Sequence, residues 1–329
     1  MSFFAIFCAL LLEQVRPLAR DNAIHGWLRA WVRWSSDNFD AGKSLHGWTS
    51  WALAVLLPTL VSLGVYWMLA HWIGWPAAVL WNVVVLYGTL GFRQFSHHFT
   101  EIRNALEAGD ELQAREHLAA WQRVDASELP RREIVRHVIE YSVLAAHRHV
   151  FGVLAWFAVL AALGLGPAGA VFYRMAEFVS RYWRYRASPH NQPASAALQQ
   201  VAGAAWTVVD WLPARATALG FAIVGSFEDA IDSWRHHAQQ FPNDNDGVIL
   251  AATSGAVNVR LGGEALKAKP VSSALQPFEA GLQPPQDSAS TPGREPELAH
   301  LRSVVGLVWR TVVLLLGLLA LLTLARLLG

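Results

Sequence analysis

The chain has 329 residues, of which 53% are apolar and only 16% are charged, against roughly 45–50% and about 25% in a soluble domain. A formal charge of +1 leaves no dense basic stripe to displace counterions, which excludes nucleic acid as a partner. Cys8 is the one cysteine, so an internal disulfide is excluded, and the 16 tryptophans suit a protein whose surface meets membrane headgroups, where an amphipathic ring keeps one end wet.

In chain order, Ser2–Leu12 is apolar but short and is closed by Glu13 and Arg16. With no basic n-region and no small-residue cleavage site, it reads as a retained anchor helix or a helix packed on a bundle, not a removed signal peptide. A bilayer core requires about 20 apolar helical residues, with a lower limit of roughly 17. Ser50–Ala70 is long enough and carries no charge, and Pro76–Phe92 follows after the short His71–Trp75 turn. These two predict a helical hairpin that crosses twice. Phe95–Val124 and Pro130–His149 predict two cytoplasmic helices, the first with Ile102, Leu106, Leu112, Leu118 and Trp121 at near-helical spacing and interrupted at Ala108-Gly109-Asp110. Val150–Tyr173 is long enough to span but is broken by Gly164-Leu165-Gly166-Pro167. Ala197–Phe227 predicts a helix kinked at Pro213, Lys267–Glu297 is rich in Pro, Ser, Gln and Gly as mobile linkers are, and Val304–Ala325 is a further span.

Charge orients these segments. Arg16–Lys43 and Arg93–Arg148 carry the Lys and Arg that the positive-inside rule assigns to the cytoplasm, on the same side of a Ser50–Phe92 hairpin. Arg174, Arg181, Arg184 and Arg186 follow Val150–Tyr173 directly. A full crossing strands them outside; a re-entrant hairpin hinged at Gly164–Pro167 returns them, and is preferred here. Irregular backbone at that depth is tolerated only where protein or water covers it.

No Walker A, GxSxG, HExxH or paired CxxC signature is present. His97-His98, His147-Arg148-His149 and His236-His237 are adjacent pairs whose rings diverge by about 100° on a helix, which suits interfacial or pH-sensitive histidines better than a shared metal. Phe241–Gly263 (FPNDNDGVILAATSGAVNVRLGG) places Asn243, Asp244, Asn245 and Asp246 ahead of a small-residue helix, Val248–Val257. This offers either oxygen ligands and a helix N-terminus for an anion, or an ordinary loop with an Asx cap.

Phe241–Gly263 resembles the SPN…AGALGVRLGG stretch of the CobD/CbiB cobalamin-biosynthesis membrane proteins. Val209–Thr217 (VDWLPARAT) is similar to that family's D-x-x-x-PAR segment with one residue fewer, and Ala108–Glu140 to the helix pair carrying its R-D motif and a following glutamate, here Arg123, Asp125 and Glu140. The resemblance covers nearly the whole chain. It implies an ATP-dependent, amide-forming synthase that joins aminopropanol or its phosphate to the carboxylate of adenosylcobyric acid. On that basis Arg123, Asp125, Glu140 and Asp210 are the implied catalytic residues, and Arg215, Asn243 and Arg260 the implied ligand- or phosphate-binding residues. ATP and Mg2+ are the implied cofactors of an active enzyme; no metal ligand is assigned.

The chain also departs from the pattern. Where the family carries EN-x-x-DG-x-x-AP, this chain reads YSVLAAHRHVFGVLAW, with no carboxylate or amide between Tyr141 and Trp156. The family's YR-x-x-NTLD becomes Tyr173–Ser180, keeping only Glu177 as an acid. Lost oxygen ligands disable a magnesium–phosphate site. Val208–Gly225, Arg181–Tyr185 (RYWRY) and the MSFFAIFCALLLEQ start look at least as close to the AmpE proteins, which implies an alternative role as a non-catalytic membrane signalling protein linked to β-lactamase induction and cell-wall recycling.

The expectation is thus an all-α integral membrane helical bundle with cytoplasmic helices and a possible re-entrant hairpin. It is divided into a membrane-embedded helical domain at 1–265, a flexible linker at 266–298 and a C-terminal transmembrane helix at 299–329. Its place is the bacterial inner membrane, multi-pass, with the main polar face cytoplasmic. Its partners are the lipid bilayer and either a corrinoid substrate or another membrane protein.

Overall fold

The computed structural model describes residues 2–15, 23–40, 42–122, 124–186, 194–266 and 287–328. Regular structure among them is helical: α1 (Ser2–Val15), α2 (Ala23–Phe39), α3 (Ser44–Trp72), α4 (Trp75–Thr89), α5 (Phe92–Glu107), α6 (Glu111–Gln122), α7 (Arg131–Ala146), α8 (Gly152–Ala162), α9 (Ala168–Arg186), α10 (Ala196–Val224), α11 (Phe227–His237), α12 (Asp244–Val257) and α13 (Leu298–Leu328). An isolated backbone bridge pairs Val259 with Arg294. Among the described residues, four helical stretches are long and apolar enough to cross a membrane: Ser44–Trp72, Arg131–Ala162, Ala196–Val224 and Leu298–Ala325. The all-α membrane bundle expected from composition is therefore the fold observed.

Contacts divide the chain into two compact units, one formed by 1–91, 152–210 and 319–329, the other by 92–151 and 211–318. In the first unit α3 is the central post, packed by α2, α4 and α9, with α1 against α4 and α8 against α9. The α3–α4 hairpin forms as expected, the Trp81 indole N–H donating to the Ser62 carbonyl at 3.1 Å. Its second leg is shorter than expected. α4 starts where Pro76 can occupy the first turn at no hydrogen-bond cost and stops at Thr89 after 15 residues, about 22 Å of rise against a hydrocarbon core of about 30 Å.

The expected boundary at His149–Val150 is absent. With no Pro or Gly to stop it before residue 152, α7 runs through a π-helical turn, His147–Phe151, into α8, so the helix expected in the cytoplasm and the first half of the expected hairpin form one continuous stretch. The break at Gly164–Pro167 is where expected: α8 ends at Ala162 and α9 begins at Ala168. Gly164 and Gly166 take φ of +79° and +55° there, which non-glycine residues adopt with difficulty. Close approach of α8 and α9 depends on two further glycines. A Cβ at Gly152 would overlap the Tyr173 ring, and one at Gly169 would overlap the Trp156 carbonyl.

In the second unit α5 packs on α6 and α7, and α11 and α7 pack on α12. The expected interruption near Gly109 separates α5 from α6. α10 contains Pro213 within its length. The Arg302 guanidinium donates to Glu107 at 2.9 Å, and this hydrogen bond holds the Glu107 carboxyl below its ordinary range. Of the expected linker, 267–286 lies outside the described residues. Residues 287–294 run back along 258–265 through backbone and side-chain hydrogen bonds.

Gly169→Ala is expected to destabilise the protein by about 1–3 kcal/mol, because the added methyl meets main chain that no rotamer change can move. Thermal unfolding of the detergent-solubilised protein checks this, and an unchanged midpoint would contradict the close α8–α9 packing.

Candidate functional site

The strongest candidate lies in the second unit, where α7 faces the extended segment that follows α12. The segment begins because Asn258 ends α12 in the left-handed conformation, φ 51° and ψ 54°, a cap asparagine tolerates better than most residues. Residues 259–264 then leave the helix, with Gly262 and Gly263 at φ of +82° and +126°. The Arg260 N–H donates to the Arg294 carbonyl at 2.8 Å and the Thr291 N–H to the Leu261 carbonyl at 2.8 Å. The Leu261 N–H donates in turn to the Thr291 hydroxyl at 2.9 Å, and the Thr291 and Ser254 hydroxyls pair at 2.7 Å. Gly262, at φ +82°, leaves no room for a side chain against the Ala289 carbonyl. The RLGG sequence is therefore a clamped strip of backbone, not a loose tail.

On α7, Glu133, Arg136 and Glu140 recur at i, i+3 and i+7 and share one face. The Arg136 guanidinium, 4% exposed, donates to Glu133 at 2.8 Å, to Glu140 at 3.1 Å and to the Glu264 carbonyl at 2.7 Å. Glu140 accepts the Gly262 N–H at 2.7 Å. One guanidinium and one carboxylate thus fasten α7 to the RLGG strip.

Beside this junction opens a pocket of about 820 Å³ whose polar lining includes Asp125, Arg132, Glu133, Arg136, Arg260 and Glu264. Asp125 is exposed in the turn before α7 and accepts from the Ser127 N–H at 3.1 Å and hydroxyl at 2.7 Å. Both charge signs are presented: Arg132 and Arg260 are exposed, as are Asp125 and Glu264.

The candidate residues from the sequence fall into separate groups. Asp125 and Arg260 line this pocket, and Glu140 stands behind it through Arg136 and Gly262. Asn243 and Arg215 meet at the start of α12. Asn243 caps that helix, its side-chain Oδ1 accepting the Asn245 N–H at 3.2 Å, and Arg215 donates to the Asn245 side chain at 3.1 Å while stacking 4.2 Å above the Trp211 ring. This is the Asx-cap alternative of the sequence reading. Asp210 belongs to the first unit, fully buried, accepting the Tyr173 hydroxyl at 2.8 Å. Arg123 lies outside the described residues.

Arg136 and the Arg148–Asp246 pair had not been singled out. Arg148, in the π turn, donates to both Asp246 carboxylate oxygens at 2.9 and 2.8 Å, and both residues are buried. Arg136 was legible as the i−4 partner of Glu140; a pair 98 residues apart leaves no local signal.

These pairings bear on the cation that the resemblance implies. No group of three or more His, Cys, Asp or Glu among the described residues is placed to hold a metal ion. Glu140 and Asp246 each face a guanidinium, and in the first unit Glu177 is held by Arg174 at 2.8 Å and Arg181 at 3.4 Å. Those three carboxylates are therefore engaged by arginines rather than open as oxygen ligands.

Removing one member of the buried Arg148–Asp246 pair leaves an uncompensated charge, which costs about 3–5 kcal/mol, whereas removing both costs less. Arg148→Ala and Asp246→Ala are each expected to lower thermal stability sharply, with the double variant well above the additive value. Additive losses would contradict the pairing.

Comparison with known proteins gives the same family over most of the chain. The model of the family described as "CobD/Cbib protein" matches residues 3–287. A protein named "Cobalamin biosynthesis protein CobD" from Stutzerimonas stutzeri is 32% identical over 276 residues, covering 82% of this chain and 80% of that protein. One of the same name from Chromobacterium violaceum is 33% identical over 183 residues, 56% of this chain and 55% of the other, and one from Photorhabdus laumondii is 29% identical over 222 residues, 65% of each. No solved structure matches significantly. These relatives lend the AmpE-like branch no support. With a family match across nearly its full length and a relative above 30% identity over four-fifths of both chains, this protein belongs to the CobD/Cbib protein family.

Proposed function

We propose that the chain works in cobalamin biosynthesis as an amide-forming, synthase-type membrane protein, placed in a bacterial inner membrane with the α7–RLGG pocket facing the cytoplasm. The observation that carries this reading is the family match over residues 3–287, supported by relatives named for cobalamin biosynthesis. The pocket's chemistry agrees with it. Amide formation brings together a carboxylate and an amine, which approach as an anion and a cation. Arg132 and Arg260 suit the anionic carboxylate of a corrinoid acid; Asp125 and Glu264 suit an ammonium group.

Charged hydrogen bonds at a partly enclosed pocket fix orientation as well as affinity, and holding two reactants side by side removes part of the barrier to joining them. Arg136 and Glu140 are positioning residues in this scheme, since they hold the RLGG strip that carries Arg260, and Arg136 also lines the pocket. ATP, which supplies acyl activation in the family's chemistry, carries phosphates that the exposed Arg132 and Arg260 guanidiniums attract. The cytoplasmic placement rests on the Lys and Arg of the segments flanking α3 and α4.

Expression in a bacterial strain lacking its own cobinamide synthase tests the proposal. Growth that requires newly made cobalamin is expected to return with the wild-type chain. Arg260→Ala is expected to reduce the rate of cobalamin formation roughly tenfold or more, the loss of one charged hydrogen bond. No growth, with the protein present in the membrane at normal level, would overturn the proposal.

A further inference from the structure

We propose that α2 is an interfacial helix, lying along the bilayer surface with a tryptophan stripe sunk among the lipid headgroups. The sequence places Arg16–Lys43 in a charged connection, but most of it folds as the 17-residue helix Ala23–Phe39. Trp27, Trp31 and Trp34 recur at i, i+4 and i+7 and form one continuous aromatic stack. Ring centroids are 6.1 Å apart for Trp27–Trp31 and 5.1 Å for Trp31–Trp34, and Phe39 meets Trp34 edge-on at 5.8 Å. The ends of this stripe are turned away from the protein core, Trp27 60% and Trp34 47% exposed, while Trp31 between them is half-buried against α3. At about 100° per residue, Arg29 and Arg33 fall roughly 150° round the helix from the stripe. A third face, Val32, Ser35 and Ser36, is buried.

What covers the stripe follows from where α2 is attached. The Ser35 hydroxyl donates to the Ser50 carbonyl at 2.9 Å and the Trp31 indole N–H to the Ala54 carbonyl at 3.4 Å, so α2 lies across the first turns of α3. Immediately beyond, α3 exposes Leu56, Leu57, Leu60 and Val61, the surface of a helix made for lipid. Exposed aromatic residues bracket that apolar stretch. Trp48 stands near α2, and Trp67 and Trp72 lie at the other end of α3. Trp48 and Trp67 are 19 residues apart, about 28 Å of helix rise, which matches a hydrocarbon core of about 30 Å. Tryptophans at both ends of such a span mark the two headgroup levels. The α2 stripe is attached near the same end of α3 as Trp48, and on its other side exposed Arg33, which donates to the Tyr182 hydroxyl at 3.3 Å, gives a basic face that suits water and anionic lipid phosphates.

The test uses the full-length protein carrying Cys8→Ser, in vesicles of phosphatidylethanolamine and phosphatidylglycerol, with a single cysteine at Trp27→Cys, Trp34→Cys or Arg33→Cys labelled with an environment-sensitive nitrobenzoxadiazole dye. Dye at positions 27 and 34 is expected to be quenched by shallow spin-labelled lipid roughly threefold more than dye at position 33, with the reverse order for aqueous iodide. Two tryptophan positions are probed so that failure of either variant to fold leaves the other informative. Equal iodide quenching on both faces would overturn the proposal, as would positions 27 and 34 being shielded from lipid and iodide alike, the signature of a protein partner on this face.

Discussion

An arginine buried against a carboxylate is the constraint on which most of the second unit depends. Neither charge can leave water unless the other accompanies it, so each pair fixes the two segments that supply it. Arg136 joins α7 to the Glu264 carbonyl, while its partner Glu140 receives Gly262. Arg148 joins the π turn to the start of α12. The strip between α12 and the returning 287–294 segment is thereby placed against α7 at one register, and the pocket beside Asp125 and Arg260 exists because of that register. In the first unit the same rule governs Glu177, held between Arg174 and Arg181 on α9.

The same interactions decide what chemistry the carboxylates can offer. An acid whose oxygens accept from a guanidinium has its charge compensated and its orientation fixed, so it holds neighbouring segments in place. Glu140, Asp246 and Glu177 all stand in this position. Asp125 and Glu264 line the pocket together with Arg132 and Arg260, all four exposed. Recognition of two oppositely charged reactants is the task this division of roles supports.

Much of the fold was legible in the sequence because its strongest signals are one-dimensional. Uninterrupted apolar runs placed α3 and α13, and the Gly164–Pro167 cluster placed the turn between α8 and α9. Two elements were not legible for opposite reasons. The continuity of α7 and α8 was hidden by a change from polar to apolar composition near His149, which alters the environment of a helix without breaking its backbone. The helix α2 was hidden by its charges, although Trp27, Trp31 and Trp34 at helical spacing carried the signal. For the site, RLGG and the Asn243 cap stood out as local motifs, and Asp125, Glu140 and Arg260 converge on one region. The arginine partners were less accessible: Arg148 finds Asp246 across 98 residues, a relation that periodicity cannot express.

The account's central claim is that the α7–RLGG pocket receives the carboxylate of a corrinoid acid through Arg260. Equilibrium binding of adenosylcobyric acid to the purified protein in lipid nanodiscs, followed by the corrinoid's own absorbance, tests it most directly. Saturable binding that charge reversal at one position, Arg260→Glu, removes while the protein stays folded is the expected result. Saturable binding that is indifferent to that reversal, or none by the folded wild-type chain, would contradict it.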